Sequence, residues 1–179
     1  LRDGKDVTII ASGILVDEAL KAEEQLAAKG ISARVIDMHT WKPLDEDLVL
    51  RAAAETGCIV TAENHQVGTG LGSAITNLTS AKNPVPVERI GIQNRFGQVG
   101  PQDFLMQQYN LTAEDIAAAA LRAIARKQGY YRKAPVGTVD RFRRELFCAQ
   151  QRTRVEEEMH NFCLKRLVRS EIAFLTEQG

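Results

Sequence analysis

The sequence predicts an α/β fold: a three-layer α/β/α domain with a mostly parallel sheet, followed by a helical C-terminal extension. Two observations support the domain. Short, β-branched apolar runs alternate along residues 1–127 with stretches that carry apolar residues at helical spacing. The connections between these stretches are short, and such alternation is typical of a parallel sheet with helices on both faces.

Four apolar runs of strand length predict the parallel strands. The first is closed by Gly13 and is preceded only by "LRDGKD", so the chain is expected to begin inside a strand. The four runs comprise residues 7–12, 31–38, 58–63 and 85–92.

Start and stop signals place the helices between these runs. Gly30 and Gly57 follow helical patterns and predict left-handed ends, while Asp45 and Pro101 stand at helix starts. Apolar residues at positions 71, 74, 75 and 78 predict a helix after the third strand. The last helix opens with Thr112 and Asp115 at capping-box spacing, runs on alanine and is expected to end near Lys127.

Composition and charge narrow the class of function. Of 179 residues, 44% are hydrophobic and 26% are charged, with no net charge, which is typical of a soluble globular protein. Nucleic acid and membrane are therefore not expected partners. Three widely spaced cysteines have no metal-ligand spacing, so neither a metal site nor a disulfide framework is expected. Free thiols favour a reducing, cytoplasmic location.

The C-terminal part differs in character from the domain. Residues 128–137 contain glycine and proline without periodicity and predict a linker. Residues 138–179 predict a helical extension of unknown role, with apolar stripes expected to self-associate. The stripes comprise Val155, Met159, Phe162, Val168, Ile172 and Leu175.

The segment "AENHQVGTGLGSAI" (residues 62–75) raises the question of an anion site. Gly68, Gly70 and Gly72 lie where a strand gives way to a helix, and free N–H groups at a helix N-terminus suit a phosphate or carboxylate. The segment is neither a P-loop nor a dinucleotide fingerprint, so glycines that permit close packing are the alternative. His65 is a candidate general base, although a hydrogen-bonded interface residue is the simpler interpretation. No nucleophile with a histidine and acid partner is evident.

Arg95 is the second candidate residue. It follows the fourth strand in "GIQNRFGQVGP" (residues 91–101), and open α/β sheets bind ligands at this edge. The alternative is a surface arginine that contacts a neighbouring subunit, with Phe96 packed beneath it. Trp41 also follows a strand, and it could be an interface anchor or a cover for the sheet.

Three segments together resemble the C-terminal domain of transketolase, in particular its split-subunit branch and 1-deoxyxylulose-5-phosphate synthase. They are "GKDVTIIASGILVDEALKAEEQLAAKGISARVIDMHTWKPLDEDLV", "TAENHQVGTGLGSAI" and "IGIQNRFGQVG". The resemblance covers about residues 1–127. It implies four parallel strands and one antiparallel strand, of which "LRDG" would be the tail.

The resemblance also implies a division of labour. In the intact enzyme, thiamine diphosphate and Mg²⁺ would lie in upstream domains, because this chain lacks the family's "GDG" motif. This chain would then have no catalytic, cofactor-binding or metal-binding residues, and it would be inactive alone. Its expected partners are upstream transketolase domains or an N-terminal subunit, in a homo-oligomer. His65, Gly68, Gly70, Gly72 and Arg95 are expected to serve an interface or, second, an anion.

Two functions from different classes follow. The first is a non-catalytic, dimer-contacting domain of a transketolase that moves a two-carbon ketol unit between sugar phosphates. The alternative is a free-standing anion-binding or regulatory module that self-associates through its C-terminal helices. The absent initiator methionine and the incomplete first strand favour the first.

Overall fold

The computed structural model describes residues 1–133, with side chains as far as residue 129. Strands and helices alternate in this part of the chain, as the sequence predicts. The elements are β1 (Val7–Ala11), α1 (Leu15–Ala27), β2 (Ala33–Asp37), α2 (Glu46–Thr56), β3 (Ile59–Gln66), α3 (Leu71–Lys82), β4 (Val87–Ile92), α4 (Gln102–Gln108) and α5 (Ala113–Lys133).

The sheet is parallel, with strand order β2-β1-β3-β4. At the edge beside β2, Arg2 forms an antiparallel bridge with Val35. The two backbones exchange hydrogen bonds of 3.2 and 3.0 Å. The antiparallel pairing expected for "LRDG" is therefore present as a single bridge.

Helices cover both faces of the sheet and complete the three layers. One apolar cluster joins α1, α4 and α5 to the face that carries Ile9 and Val60. A second cluster joins α2 and α3 to the face that carries Ile10 and Ile59. Neighbouring residues of one strand thus enter opposite cores, which is why β1 is buried at every position.

The helix ends follow the local signals in the sequence. The Asp45 carboxylate accepts a 3.0 Å hydrogen bond from the backbone N–H of Leu48 at the start of α2. Gly57 ends this helix with a positive φ of 70°. Thr112 and Asp115 form the predicted capping box: the Thr112 N–H donates to the Asp115 carboxylate over 3.1 Å, and the Asp115 N–H donates to the Thr112 hydroxyl over 3.4 Å.

The last helix extends beyond the end that the sequence predicts near Lys127. α5 continues to Lys133, so residues 128–133 of the predicted linker are helical. A single glycine at 129 does not stop a helix, and the first proline beyond it is Pro135. A compact unit ends at Arg132. The division into domain, linker and extension stays a prediction, and the extension 138–179 lies outside the described residues.

Cys58 is a free thiol within the core. The side chain is fully buried between β1 and α5, and burial raises its pKa to about 11. Cys148 and Cys163 lie outside the described residues. Among residues 1–133, no helix has the length and apolar character needed to cross a membrane.

Candidate functional site

The strand β3 bulges where it passes the end of the sheet. Its pairing with β4 is regular up to Ala62 and Ile90, and it resumes at Gln66 and Ile92. Residues 63–65, hereafter the bulge, therefore stand opposite a single residue of β4. A bulge of this kind redirects side chains, and bulges are common next to functional sites.

Glu63, the first bulge residue, is fully buried and points inward. Its two carboxylate oxygens accept hydrogen bonds from the first N–H groups of α3. Leu71 donates over 2.7 Å and Gly72 donates over 2.8 Å. Both bonds are charge-assisted, and the positive end of the helix dipole adds to them. The chain's own carboxylate thus occupies the position that an external anion would take.

The glycines of "GTGLGSA" serve different purposes. A Cβ on Gly70 would lie 1.8 Å from Glu63 Oε2, and a Cβ on Gly72 would lie 2.7 Å from Thr61 Oγ1. These two positions permit the close approach of helix and strand, in line with the packing interpretation. Gly68 is exposed, and a Cβ there would meet no atom within 4 Å.

His65 ends the bulge and faces outward. Its ring meets Trp41 edge to face, with centroids 6.1 Å apart and planes at 82°. The His65 Nδ1 atom lies 3.3 Å from the carbonyl oxygen of Gln66. Trp41 is itself partly buried against the α2–α3 core, so it both covers that core and supports the imidazole.

Gln66 joins the bulge to the loop that follows β4. Its side-chain amide donates to the Arg95 carbonyl over 2.9 Å and accepts from the Asn94 N–H over 3.1 Å. Asn94 has a positive φ of 49°, which turns the chain sharply there. The structure therefore brings the His65 segment and the Arg95 segment together through one side chain. The Arg95 side chain is exposed.

Large apolar side chains stand in solvent on this loop. Phe96 is 98% exposed and Val99 is 103% exposed, and Phe104 at the start of α4 is 49% exposed. The expectation that Phe96 packs beneath Arg95 is wrong. The Phe96 carbonyl accepts a 2.9 Å hydrogen bond from the Tyr109 hydroxyl, which ties the loop backbone to the end of α4 while the ring stays in solvent.

These groups make a poor centre for acid–base or cofactor chemistry. His65 contacts an aromatic ring and a backbone carbonyl in the described residues, with no carboxylate to orient it. Within residues 1–133, no group of three or more His, Cys, Asp or Glu side chains could hold a metal ion. The N–H groups of Leu71 and Gly72 at the start of α3 already donate to Glu63. This turn therefore does not fit the pyrophosphate of thiamine diphosphate.

Two clefts in the described surface lie away from the bulge. One of about 490 Å³ lies beside β2 and is lined by Arg34 and Arg51. A second, of about 550 Å³, lies between α1 and α4 and carries Asp17, Glu18 and Asp103. Neither cleft includes His65, Arg95 or the glycine turn.

Sequence reasoning assigned no role to Glu63, although a signal was present. An acidic residue continues the buried run "CIVTA" directly and precedes a glycine turn and a helix. A carboxylate in such a run needs hydrogen-bond donors, and the helix N-terminus ahead of it supplies them.

Comparison with known proteins gives a consistent result. Residues 1–116 match the family model described as "Transketolase, C-terminal domain". The chain is 50% identical over 127 residues to the 6-deoxy-6-sulfo-D-fructose transketolase subunit SqwH of Clostridium sp. (strain MSTE9), covering 71% of this chain and 39% of that subunit. It is 45% identical over 129 residues to 1-deoxy-D-xylulose-5-phosphate synthase 1 of Geobacter sulfurreducens, covering 71% and 20%.

A solved structure agrees with these relatives. The chain superposes on a protein described as "Split gene transketolase, inactive beta4 tetramer" with a TM-score of 0.67 and 46% identity. The match covers 69% of this chain and 41% of that one. The chain thus spans about two fifths or less of the relatives it matches. With a family model over residues 1–116, these matches show that the chain belongs to the transketolase C-terminal domain family.

Proposed function

We propose that this chain is the non-catalytic C-terminal part of a thiamine-dependent transketolase that moves a two-carbon ketol unit between sugar phosphates. It contributes a contact surface to the assembled enzyme. The contact surface comprises Trp41, His65, Phe96 and Val99, at the carboxyl edge of the sheet. The observation that carries the proposal is the exposure of Phe96 and Val99, which is nearly complete.

Exposed aromatic and aliphatic side chains on a fixed loop favour a protein partner. An apolar residue gains roughly 1.5–3 kcal/mol when it leaves water, so Phe96 and Val99 stabilise whichever complex buries them. Aromatic residues are also enriched among those that dominate binding energy. Hydrogen bonds from Gln66 and Tyr109 hold the loop backbone in place, which lowers the entropy cost of binding.

The partner we propose is the upstream, cofactor-binding part of the enzyme, as a domain or as a separate subunit. Two matched relatives are described as transketolase subunits, from Clostridium and from Phocaeicola vulgatus, and this chain corresponds to 39% of each. In those two subunits, the part that this chain does not match is available to cover such a surface.

A second copy of the chain is the other partner that an observation favours. The matched structure is described as a β4 tetramer of a split-gene transketolase, and as inactive. Self-association is thus compatible with a lack of activity. The free-standing anion-binding module has less support, because Glu63 holds the N–H groups that it would use. A cytoplasmic location remains part of the proposal.

Thiamine diphosphate and Mg²⁺ belong, in this proposal, to the upstream part. Calorimetric titration of the chain with both should give no heat of binding, because the described residues offer neither a metal-ligand cluster nor free helix N–H groups at the turn. Micromolar affinity would overturn the assignment.

The contact surface is tested by the double variant Phe96→Ser, Val99→Ser. Binding to the upstream part, measured by sedimentation or calorimetry, should weaken at least tenfold, since two apolar groups lose their burial on association. The melting temperature of the isolated chain should stay the same, because both side chains are already in solvent.

A matched control is Leu121→Ser, which removes a 39% exposed apolar side chain from α5, away from the loop. It should leave binding unchanged. Equal loss of binding in the control and the double variant would contradict a localised surface. A fall in the chain's own oligomer mass, with upstream binding intact, would instead assign Phe96 and Val99 to self-association.

A further inference from the structure

We propose that Glu63 is a positioning residue whose buried carboxylate serves as a built-in anion. It anchors the bulge to the N-terminus of α3 and so holds His65 against Trp41. The role of His65 and Trp41 in partner contact rests on the function proposed above. The anchoring itself does not, and the two are tested separately.

The buried charge of Glu63 is compensated by the start of α3. A fully buried carboxylate is costly unless strong hydrogen bonds compensate it. Among the ion pairs of the described residues none includes Glu63, so its compensation comes from the N–H groups of Leu71 and Gly72. These are among the N–H groups that a helix leaves without an intrahelical acceptor.

The space around the Glu63 side chain is shaped by two glycines. The carboxylate lies over Gly70, where an added Cβ would approach Oε2 to 1.8 Å. On the other side, a Cβ on Gly91 would lie 3.2 Å from Glu63 Cγ and 2.8 Å from the His65 carbonyl oxygen. Two glycines thus leave room for this one side chain and for the bulge that bears it.

The side chains of the bulge point in different directions. In the bulge, Glu63 is buried while Asn64 and His65 are exposed. Holding the first residue inward fixes the backbone of the next two at the rim of the sheet. The His65–Trp41 contact, at 6.1 Å between centroids, depends on that placement.

The stability test uses the full chain and two variants. Glu63→Gln is nearly isosteric but removes the charge, and it turns an NH₂ group or a weaker acceptor toward two N–H donors. It should lower the melting temperature by roughly 5–15 °C. The melting temperature of Glu63→Ala should be lowered as well. Acetate should raise that melting temperature again at constant ionic strength, since a small carboxylate can occupy the vacated space.

The expected result is rescue by acetate in Glu63→Ala without a comparable rise in the unaltered chain. An equal response of both proteins would overturn the built-in anion. Binding of sulfate to the unaltered chain, with protection of the Leu71 and Gly72 amides, would also overturn it, because the N–H groups would then serve an external ligand.

The positioning test uses the single tryptophan of the chain as a local reporter. The His65 ring covers part of the Trp41 indole, and added acrylamide quenches the fluorescence of an indole that solvent can reach. In His65→Gln, acrylamide should therefore quench Trp41 more strongly than in the unaltered chain. His39, two residues before Trp41, is the other nearby imidazole, and His39→Gln measures its share.

The decisive comparison is made in Glu63→Gln under conditions where its circular dichroism shows a folded chain. Acrylamide quenching of Trp41 should increase to the level of His65→Gln, because the imidazole is no longer held at the indole. Quenching equal to that of the unaltered chain would show that Glu63 does not position His65. If Glu63→Gln does not fold, acetate-rescued Glu63→Ala provides the same readout, and its quenching should return to that of the unaltered chain.

Separate measurements distinguish this inference from the proposed function. Acetate rescue and Trp41 quenching are read from the chain alone. Binding to the upstream part is read from the complex. Acetate rescue and increased Trp41 quenching in the Glu63 variants, with unaltered binding, would support anchoring and contradict the contribution of His65 to the contact surface.

Discussion

At the scale of single residues, closely spaced glycines in one turn are not equivalent. Gly70 lies directly under the Glu63 carboxylate, whereas Gly68 faces open space and is exposed. Position 70 requires glycine because it is in contact with a buried charge. At position 68, no contact within the described residues requires glycine.

Gly70→Ala is therefore expected to destabilise the chain by about 2–4 kcal/mol. The added methyl would displace Glu63 and weaken its charge-assisted hydrogen bonds. Gly68→Ala is the matched control, with a change within about 1 kcal/mol. Chemical denaturation of both variants measures the difference. Similar free energies of unfolding for the two would show that the carboxylate does not lie where the structure places it.

The candidate site was only partly predictable at this scale. The turn at residues 68–72 and the exposed His65 follow from the sequence, because glycines and a strand-to-helix junction are local signals. The sequence did not indicate that Glu63 accepts hydrogen bonds from the N-terminus of α3, because this contact joins residues eight positions apart and forms only in the folded chain. The exposure of Phe96 was missed for a related reason. A phenylalanine in a loop is ordinarily expected to pack, and no local signal in the sequence marks Phe96 as exposed.

At the scale of elements, strands and helices were predictable because their signals are local. Asp45, Gly57 and the Thr112–Asp115 box give their caps directly from sequence. Strand order and the single antiparallel bridge at Arg2 depend on long-range pairing, and the order β2-β1-β3-β4 has no local signal. The end of α5 was predicted too early, since glycine alone is a weak stop.

Lys127 gives α5 a contact that its sequence pattern does not reveal. Its ammonium donates to the carbonyl oxygens of Asp6 over 2.7 Å and of Thr56 over 3.0 Å, so one side chain joins the helix to the start of β1 and the end of α2. Lys127→Met should cost about 1–3 kcal/mol in the free energy of unfolding. The exposed Lys29→Met is the control, with an effect within about 0.5 kcal/mol. Equal effects of the two substitutions on the free energy of unfolding would show that the Lys127 hydrogen bonds do not stabilise the domain.

At the scale of the whole molecule, residues 1–132 form one compact unit with a core on each face of the sheet. A chain that ends at Lys133 should therefore melt in a single cooperative transition at nearly the same temperature as the full chain. Calorimetry of the two proteins provides the comparison. A molten or insoluble short form would show that residues 134–179 belong to the core.

The central claim is that this domain contributes assembly and no chemistry to a transketolase. His65→Ala in the enzyme assembled with its upstream part tests the claim most directly, because His65 is the candidate general base. Turnover of a ketose phosphate is measured per assembled complex, with the complex quantified by sedimentation. We expect weaker assembly and nearly unchanged turnover per complex. A loss of about 10²-fold or more in turnover, with assembly intact, would make His65 an acid–base group and contradict the claim.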